Sequence, residues 1–128
     1  MTLIGHLIVA EVVSGVARPT VIYTSWSGRQ GNAFTSTFEV SAISGTDVKV
    51  TVEVLEKDAD DTGAGTLNSG TGTNYRIGTG VSSFRNSDCK QLVRYRVTLG
   101  TSTAEPSGTY TMYVILRLLN PSWEWSGG

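Results

Sequence analysis

Residues 34–42 read FTSTFEVSA, and this stretch constrains the fold more than any other feature of the chain. Phe34, Ser36, Phe38, Val40 and Ala42 fall on one parity, and Thr35, Thr37, Glu39 and Ser41 on the other. A helix would scatter these two sets around its circumference, whereas an extended chain points successive side chains to opposite faces. The pattern recurs. Val48, Val50, Val52 and Val54 alternate with Lys49, Thr51 and Glu53, and Val93, Tyr95, Val97 and Leu99 with Arg94, Arg96 and Thr98. The turn Ser44-Gly45-Thr46 between the first two runs predicts an antiparallel hairpin. After a second turn, GTSTAEPSG over 100–108, comes an apolar row of Tyr110, Met112, Val114, Leu116 and Leu118. Its opposite face starts polar at Thr109 and Thr111 and continues as Tyr113, Ile115, Arg117 and Leu119.

Leu3 to Val13 forms a further strand, apolar on both faces, and Tyr23 to Trp26 ends another after Pro19. No stretch has helical periodicity. About eight strands at this spacing predict an all-β fold, an antiparallel β-sandwich, jelly-roll-like, whose inward rows meet between two sheets. At 128 residues the chain is expected to be one domain over 1–128, with a long Asp/Gly-rich loop (58–74) and a tryptophan-containing tail (120–128). Cys89 is the single cysteine, so packing has to hold the sandwich without an intrachain disulfide. The N-terminal MTLIGHLIVAEVV lacks a basic leading segment and carries Glu11, so it reads as a strand rather than a signal peptide.

The segment EKDADDTGAGTLNSGTGTNYRIGTGVSS, from Glu56 to Ser83, invites a search for a ligand loop. Gly65 and Gly70 have the spacing of a phosphate-binding loop, but Thr71 stands where its lysine belongs. Asp58, Asp60, Asp61 and Gly63 resemble the start of a calcium loop, yet the twelfth position from Asp58 is Ser69 instead of a bidentate glutamate. The reading is therefore a polar, exposed loop with a short strand around Tyr75 to Ile77, contacting a neighbour or moving freely, with no metal and no cofactor.

Catalytic groups are scarce. His6 is the only histidine and sits in an apolar strand, which removes a histidine-rich zinc site and leaves any triad dependent on that one residue. A Cys89–His6 pair lacks a supporting local motif. Glu39 and Glu53 lie on the polar faces of strands, where pairing with Lys49, Arg94 or Arg96 is the ordinary role. The expectation is a protein that is not an enzyme. With 10 basic and 11 acidic residues and a net charge of -1, the chain offers no basic face for nucleic acid and no polybasic patch for a membrane. No apolar run reaches the ~20 residues that span a bilayer.

Strands apolar on both faces need a cover, either loops of the same chain or another subunit. Tyr113, Ile115, Trp123 and Trp125 are the candidate partner-binding residues; an extended tail would put Trp123 and Trp125 on one face and Glu124 on the other. Trp26, Tyr75, Trp123 and Trp125 near loops also suit stacking on sugar rings.

The elements FTSTFEVSAISGTDVKVTVEVLEKDADDTG, RIGTGVSSF and QLVRYRVTLGTSTAEPSGTYTMYVIL, within residues 34–119, resemble small virion proteins of tailed bacteriophages. The resemblance is one of alternation and spacing. It implies a jelly-roll-like sandwich that decorates or stabilises a capsid, or belongs to a tail. It further implies a homo-oligomer docked on the major capsid or another virion protein, in virions assembled in the host cytoplasm. Carbohydrate-binding or adhesion sandwiches share much of this pattern, so a glycan is the alternative partner. The Asp/Gly loop and the tryptophan tail depart from the phage pattern.

Overall fold

The computed structural model describes residues 7–16, 20–45, 47–101, 109–119 and 121–125. His6, the start of the expected first strand and most of the expected 100–108 turn lie outside them. Among the described residues there is no helix, and twelve strands form two antiparallel sheets. They are β1 (Leu7–Val16), β2 (Thr20–Tyr23), β3 (Ser27–Gly28), β4 (Ala33–Ser44), β5 (Val48–Lys57), β6 (Thr66–Asn68), β7 (Thr71–Gly72), β8 (Tyr75–Arg76), β9 (Gly80–Asn86), β10 (Leu92–Thr101), β11 (Thr109–Leu118) and β12 (Ser122–Glu124). Sheet A runs β1-β11-β4-β9-β7, with β12 also on β4; sheet B runs β2-β10-β5-β6, with β3 on β10 and β8 on β5.

The predicted rows build the core. Phe34, Phe38 and Val40 of β4 and Met112, Val114, Leu116 and Leu118 of β11 are buried on the inner side of sheet A. They face Val48, Val50, Val52 and Val54 of β5 and Val93, Tyr95, Val97 and Leu99 of β10. Burying each large apolar side chain contributes roughly 1.5–3 kcal/mol, which offsets the entropy of ordering the chain. A polar link crosses this interior. The Tyr95 hydroxyl and Ser36 Oγ share a 2.6 Å hydrogen bond between the sheets. Burial pushes the Tyr95 phenol up to about 12, even though Ser36 pulls the other way.

Two expectations about pairing need correction. The runs 34–42 and 48–54 are not a hairpin: β4 lies in sheet A and β5 in sheet B. The turn between them is an arch that lays the two strands face to face, with Asp47 in the left-handed region at φ 54°. Both apolar rows then point into the same interior, a condition that a hairpin would also have met. The inward row also does not continue to Ala42. The β4–β11 register slips between Ile115 and Leu116, so that Ser41 is an extra residue in β4. Such a bulge reverses the parity of the strand beyond it, and Ile43 instead of Ala42 packs against the core.

Candidate functional site

Each sheet has an outer face, and the two differ in how they are finished. On sheet A, β11 is an interior strand, flanked by β1 and β4. Ile115 lies in register between Ala10 of β1 and Ala42 of β4, and Tyr113 between Val12 and Ser44. Tyr113 is 36% exposed in the middle of a sheet, and Val81 on β9 is exposed on the same side.

The tryptophans of the tail do not join this patch. β12 continues along the same edge of β4 as β11, and Trp123 stands opposite Phe34 on the inner side. Its ring lies 4.5 Å from the Phe34 ring, centroid to centroid, and closes one end of the core. Glu124 points outward to Arg85, at 2.9 Å. Trp125, one residue past the strand, is 71% exposed beside the Arg29 guanidinium. The four expected partner residues therefore occupy different places. Tyr113 and Ile115 share a face, Trp123 serves the core, and Trp125 sits at the end of the sandwich.

On sheet B part of the outer face is covered, and the cover is the Asp/Gly segment. Residues 58–74 are not an irregular loop. Asp61 accepts the Gly63 amide at 2.7 Å, the Ala59 amide donates to Gln91 Oε1 at 2.8 Å, and Lys57 Nζ donates to the Gly63 carbonyl at 3.0 Å. These bonds fold residues 58–65 into a strap across the lower part of the sheet. Gly65 has φ +84°, and a Cβ there would lie 2.6 Å from the Trp26 ring and 2.8 Å from the Glu56 carbonyl oxygen, so only glycine lets the strap seat against Trp26. Leu55, on the outward parity of β5 and in register with Arg94 and Leu67, is only 5% exposed.

The chain then places β6 on the edge of β5, crosses to sheet A as β7 and returns to β5 as β8. This is the short strand expected near Tyr75. Arg76 fixes the following turn by donating to the carbonyls of Gly78, Thr79 and Val81 and to Ser82 Oγ. Between β6 and β8 a side cleft of about 190 Å³ reaches Val52, Val54 and Phe84. Asn86 lines it, buried, donating through Nδ2 to Asn68 while its Oδ1 finds no hydrogen-bond partner.

Aromatic rings and cations interleave on the outer face of sheet B. The Arg94 guanidinium lies 4.5 Å from the centroids of both the Tyr23 and Trp26 rings. Lys57 Nζ is 4.7 Å from Trp26, and Lys49 Nζ is 4.6 Å from Tyr75. Arg96 binds Glu53 at 3.0 Å, the expected cross-strand pairing. Such cation–ring contacts contribute roughly 0.5–1 kcal/mol each at exposed sites.

The remaining chemistry is sparse. Cys89 is buried, and burial first, with Glu56 second, pushes its thiol up to about 11. A thiol so rarely ionised is a poor nucleophile. Among the described residues no group of three or more His, Cys, Asp or Glu side chains is placed to hold a metal ion. Asp58, Asp60 and Asp61 are exposed on the strap. No protein-family model matches the chain, and no curated protein is similar to it in sequence.

Proposed function

We propose that this chain is a non-enzymatic virion structural protein that decorates or stabilises the capsid of a tailed bacteriophage, docking on the major capsid or another virion protein and on copies of itself. The observation that carries the reading is the outer face of sheet A. There Tyr113 and Ile115 stand on an interior strand, Tyr113 exposed and Ile115 half-buried, with Ala10 and Ala42 in register beside Ile115, apolar side chains of the kind that mark contacts. The strand orders β1-β11-β4-β9 and β2-β10-β5-β6 support a jelly-roll-like reading of the sandwich. That architecture serves viral capsid proteins and lectins alike, so the faces have to choose between them. Sedimentation velocity is the test. A species larger than 13.7 kDa is expected, together with co-sedimentation on purified tailed-phage capsids. Ile115→Asp should weaken both while the circular dichroism of the sandwich persists. A monomer that ignores every capsid tried, with Ile115→Asp behaving as wild type, would overturn the proposal.

A second reading, a carbohydrate-binding or adhesion sandwich, is favoured by one specific observation: Tyr23 and Tyr75 are 49% and 46% exposed on the outer face of sheet B.

A further inference from the structure

The register of sheet B places these rings on one surface. Thr98 pairs with Val21 on one side and Thr51 on the other, and Thr51 pairs with Tyr75. The next outward row is Tyr23, Arg96 and Glu53. Tyr23 and Tyr75 thus stand at opposite edges of a four-strand floor. Neighbouring strands lie about 4.8 Å apart and two residues along a strand add about 7 Å, so the backbones of the two tyrosines are roughly 16 Å apart. The floor between them is low and polar: Thr51, Thr98, Glu53 and Arg96, with Gly100 opposite Lys49 in the row beyond. The strap closes the other end at Arg94, which donates to the Ala64 carbonyl at 3.4 Å.

Charge gives the surface a sign. The one acidic side chain of the open floor, Glu53, is held by Arg96, while Lys49 and Arg94 have no carboxylate partner among the described residues. Arg94 Nε is buried without a hydrogen-bond acceptor. The aspartates Asp58, Asp60 and Asp61 belong to the strap and make that end unfavourable to an anion. Away from the strap, Lys49 beside Tyr75 is the cation without a carboxylate partner among the described residues.

We infer that the outer face of sheet B is a binding platform for an acidic oligosaccharide, whose chain runs between the Tyr23 and Tyr75 rings with a carboxylate directed to Lys49. The inference rests on the carbohydrate-binding reading and is independent of capsid docking by sheet A. Each tyrosine offers a ring surface for a sugar face, and the threonines and Arg96 offer hydrogen bonds to hydroxyls. The span selects a chain over a single sugar, because one ring cannot touch both tyrosines. Nucleic acid fits less well, since the open floor offers few cations, Lys49 and the Glu53-bound Arg96, where a phosphate backbone needs many.

Isothermal titration calorimetry of the whole chain tests this, with hexagalacturonate as the probe, cellohexaose as the neutral counterpart, galacturonic acid as the single ring and an oligothymidylate as the nucleic-acid counterpart. Hexagalacturonate is expected to bind in a salt-sensitive manner, and the single ring not measurably. Tyr23→Ala and Tyr75→Ala are each expected to weaken binding by about tenfold. Lys49→Ala should weaken it and flatten the salt dependence. Cellohexaose binding as tightly through the same two tyrosines would overturn the acidic assignment and keep the carbohydrate reading. No binding of any glycan would overturn both. Oligothymidylate binding tighter than hexagalacturonate, or hexagalacturonate binding undiminished in the Tyr23→Ala/Tyr75→Ala double variant, would also overturn the inference.

Discussion

The two outer faces of this sandwich are built from strands of similar sequence texture, yet they are finished differently. Sheet A leaves Tyr113 in the open and sets Ile115 between two alanines in register. Sheet B draws the chain back over itself, so that Leu55, an outward residue by parity, becomes part of the interior. The difference shows that outward parity does not settle exposure. A strap tied to Lys57, Gln91 and Arg94 closes one end of the face and leaves the other as an accessible floor.

Matched truncations test this contrast most severely. Leu55→Ala should cost about 2–4 kcal/mol, the range for emptying a closed apolar site. Ile115→Ala on the opposite face should cost no more than about 1 kcal/mol, in line with partly exposed positions. Urea denaturation of the two variants side by side measures both, and equal losses would erase the distinction between the faces.

An alkaline titration probes the interior that the faces share. The folded core holds Tyr95 protonated up to about pH 12, whereas the unfolded chain ionises it near 10.0. Stability is therefore complete below about pH 10 and falls as the pH rises toward 12, by an amount on the order of 2 kcal/mol. Cys89 acts in the same direction from about pH 9 to about 11. In melting temperatures taken across this range, Tyr95→Phe should flatten the upper part of the decline and Cys89→Ala the lower part.

A smaller effect sharpens the comparison by loosening the strap alone. Gly65→Ala places a methyl against Trp26 and the Glu56 carbonyl at a positive φ, and should cost on the order of 1–2 kcal/mol. Tryptophan fluorescence should shift toward that of a more solvated indole, while assembly through sheet A stays intact. Smallest is Glu124→Ala. The Arg85–Glu124 pair is well exposed on both sides, so its loss should change stability by less than about 1 kcal/mol. A larger loss in thermal melts would mean that the pair holds Trp123 on Phe34.

The inward rows are legible in the sequence because period-two alternation reports directly which side chains share a face. Val48 to Val54 and Val93 to Leu99 are buried as that pattern requires. Pairing was not legible. A short turn after Ala42 can make a hairpin or an arch, and both put Phe34 and Val50 on apolar sides. The Ser41 bulge leaves no mark in composition. Nor do β6 and β7, edge strands of three and two residues held by backbone pairing with no apolar row. Among the candidate partner residues, parity correctly put Tyr113 and Ile115 on the outward side of β11. It could not show that Trp123 would meet Phe34, because that contact depends on how β12 resumes beside β4. The Tyr23–Arg94–Trp26 cluster was hidden for a similar reason: Trp26 and Arg94 are far apart in sequence and meet only through the pairing of β2 and β3 with β10.

The wiring of the sheets has a consequence for how the chain acquires its structure. β1 and its partner β11 lie at nearly opposite ends of the described chain, and the long strands β4, β5, β9, β10 and β11 pass from one sheet to the other at each step. Hardly any of the pairing is local, which places the protein among slow folders, in the millisecond-to-second range. At about 5–20 residues synthesised per second, the apolar segment LIVAEVVSGV waits several seconds beside the ribosome before its partner strand exists. Folding of sheet A thus waits until β11 has been made, and during that interval the nascent chain is at its most aggregation-prone.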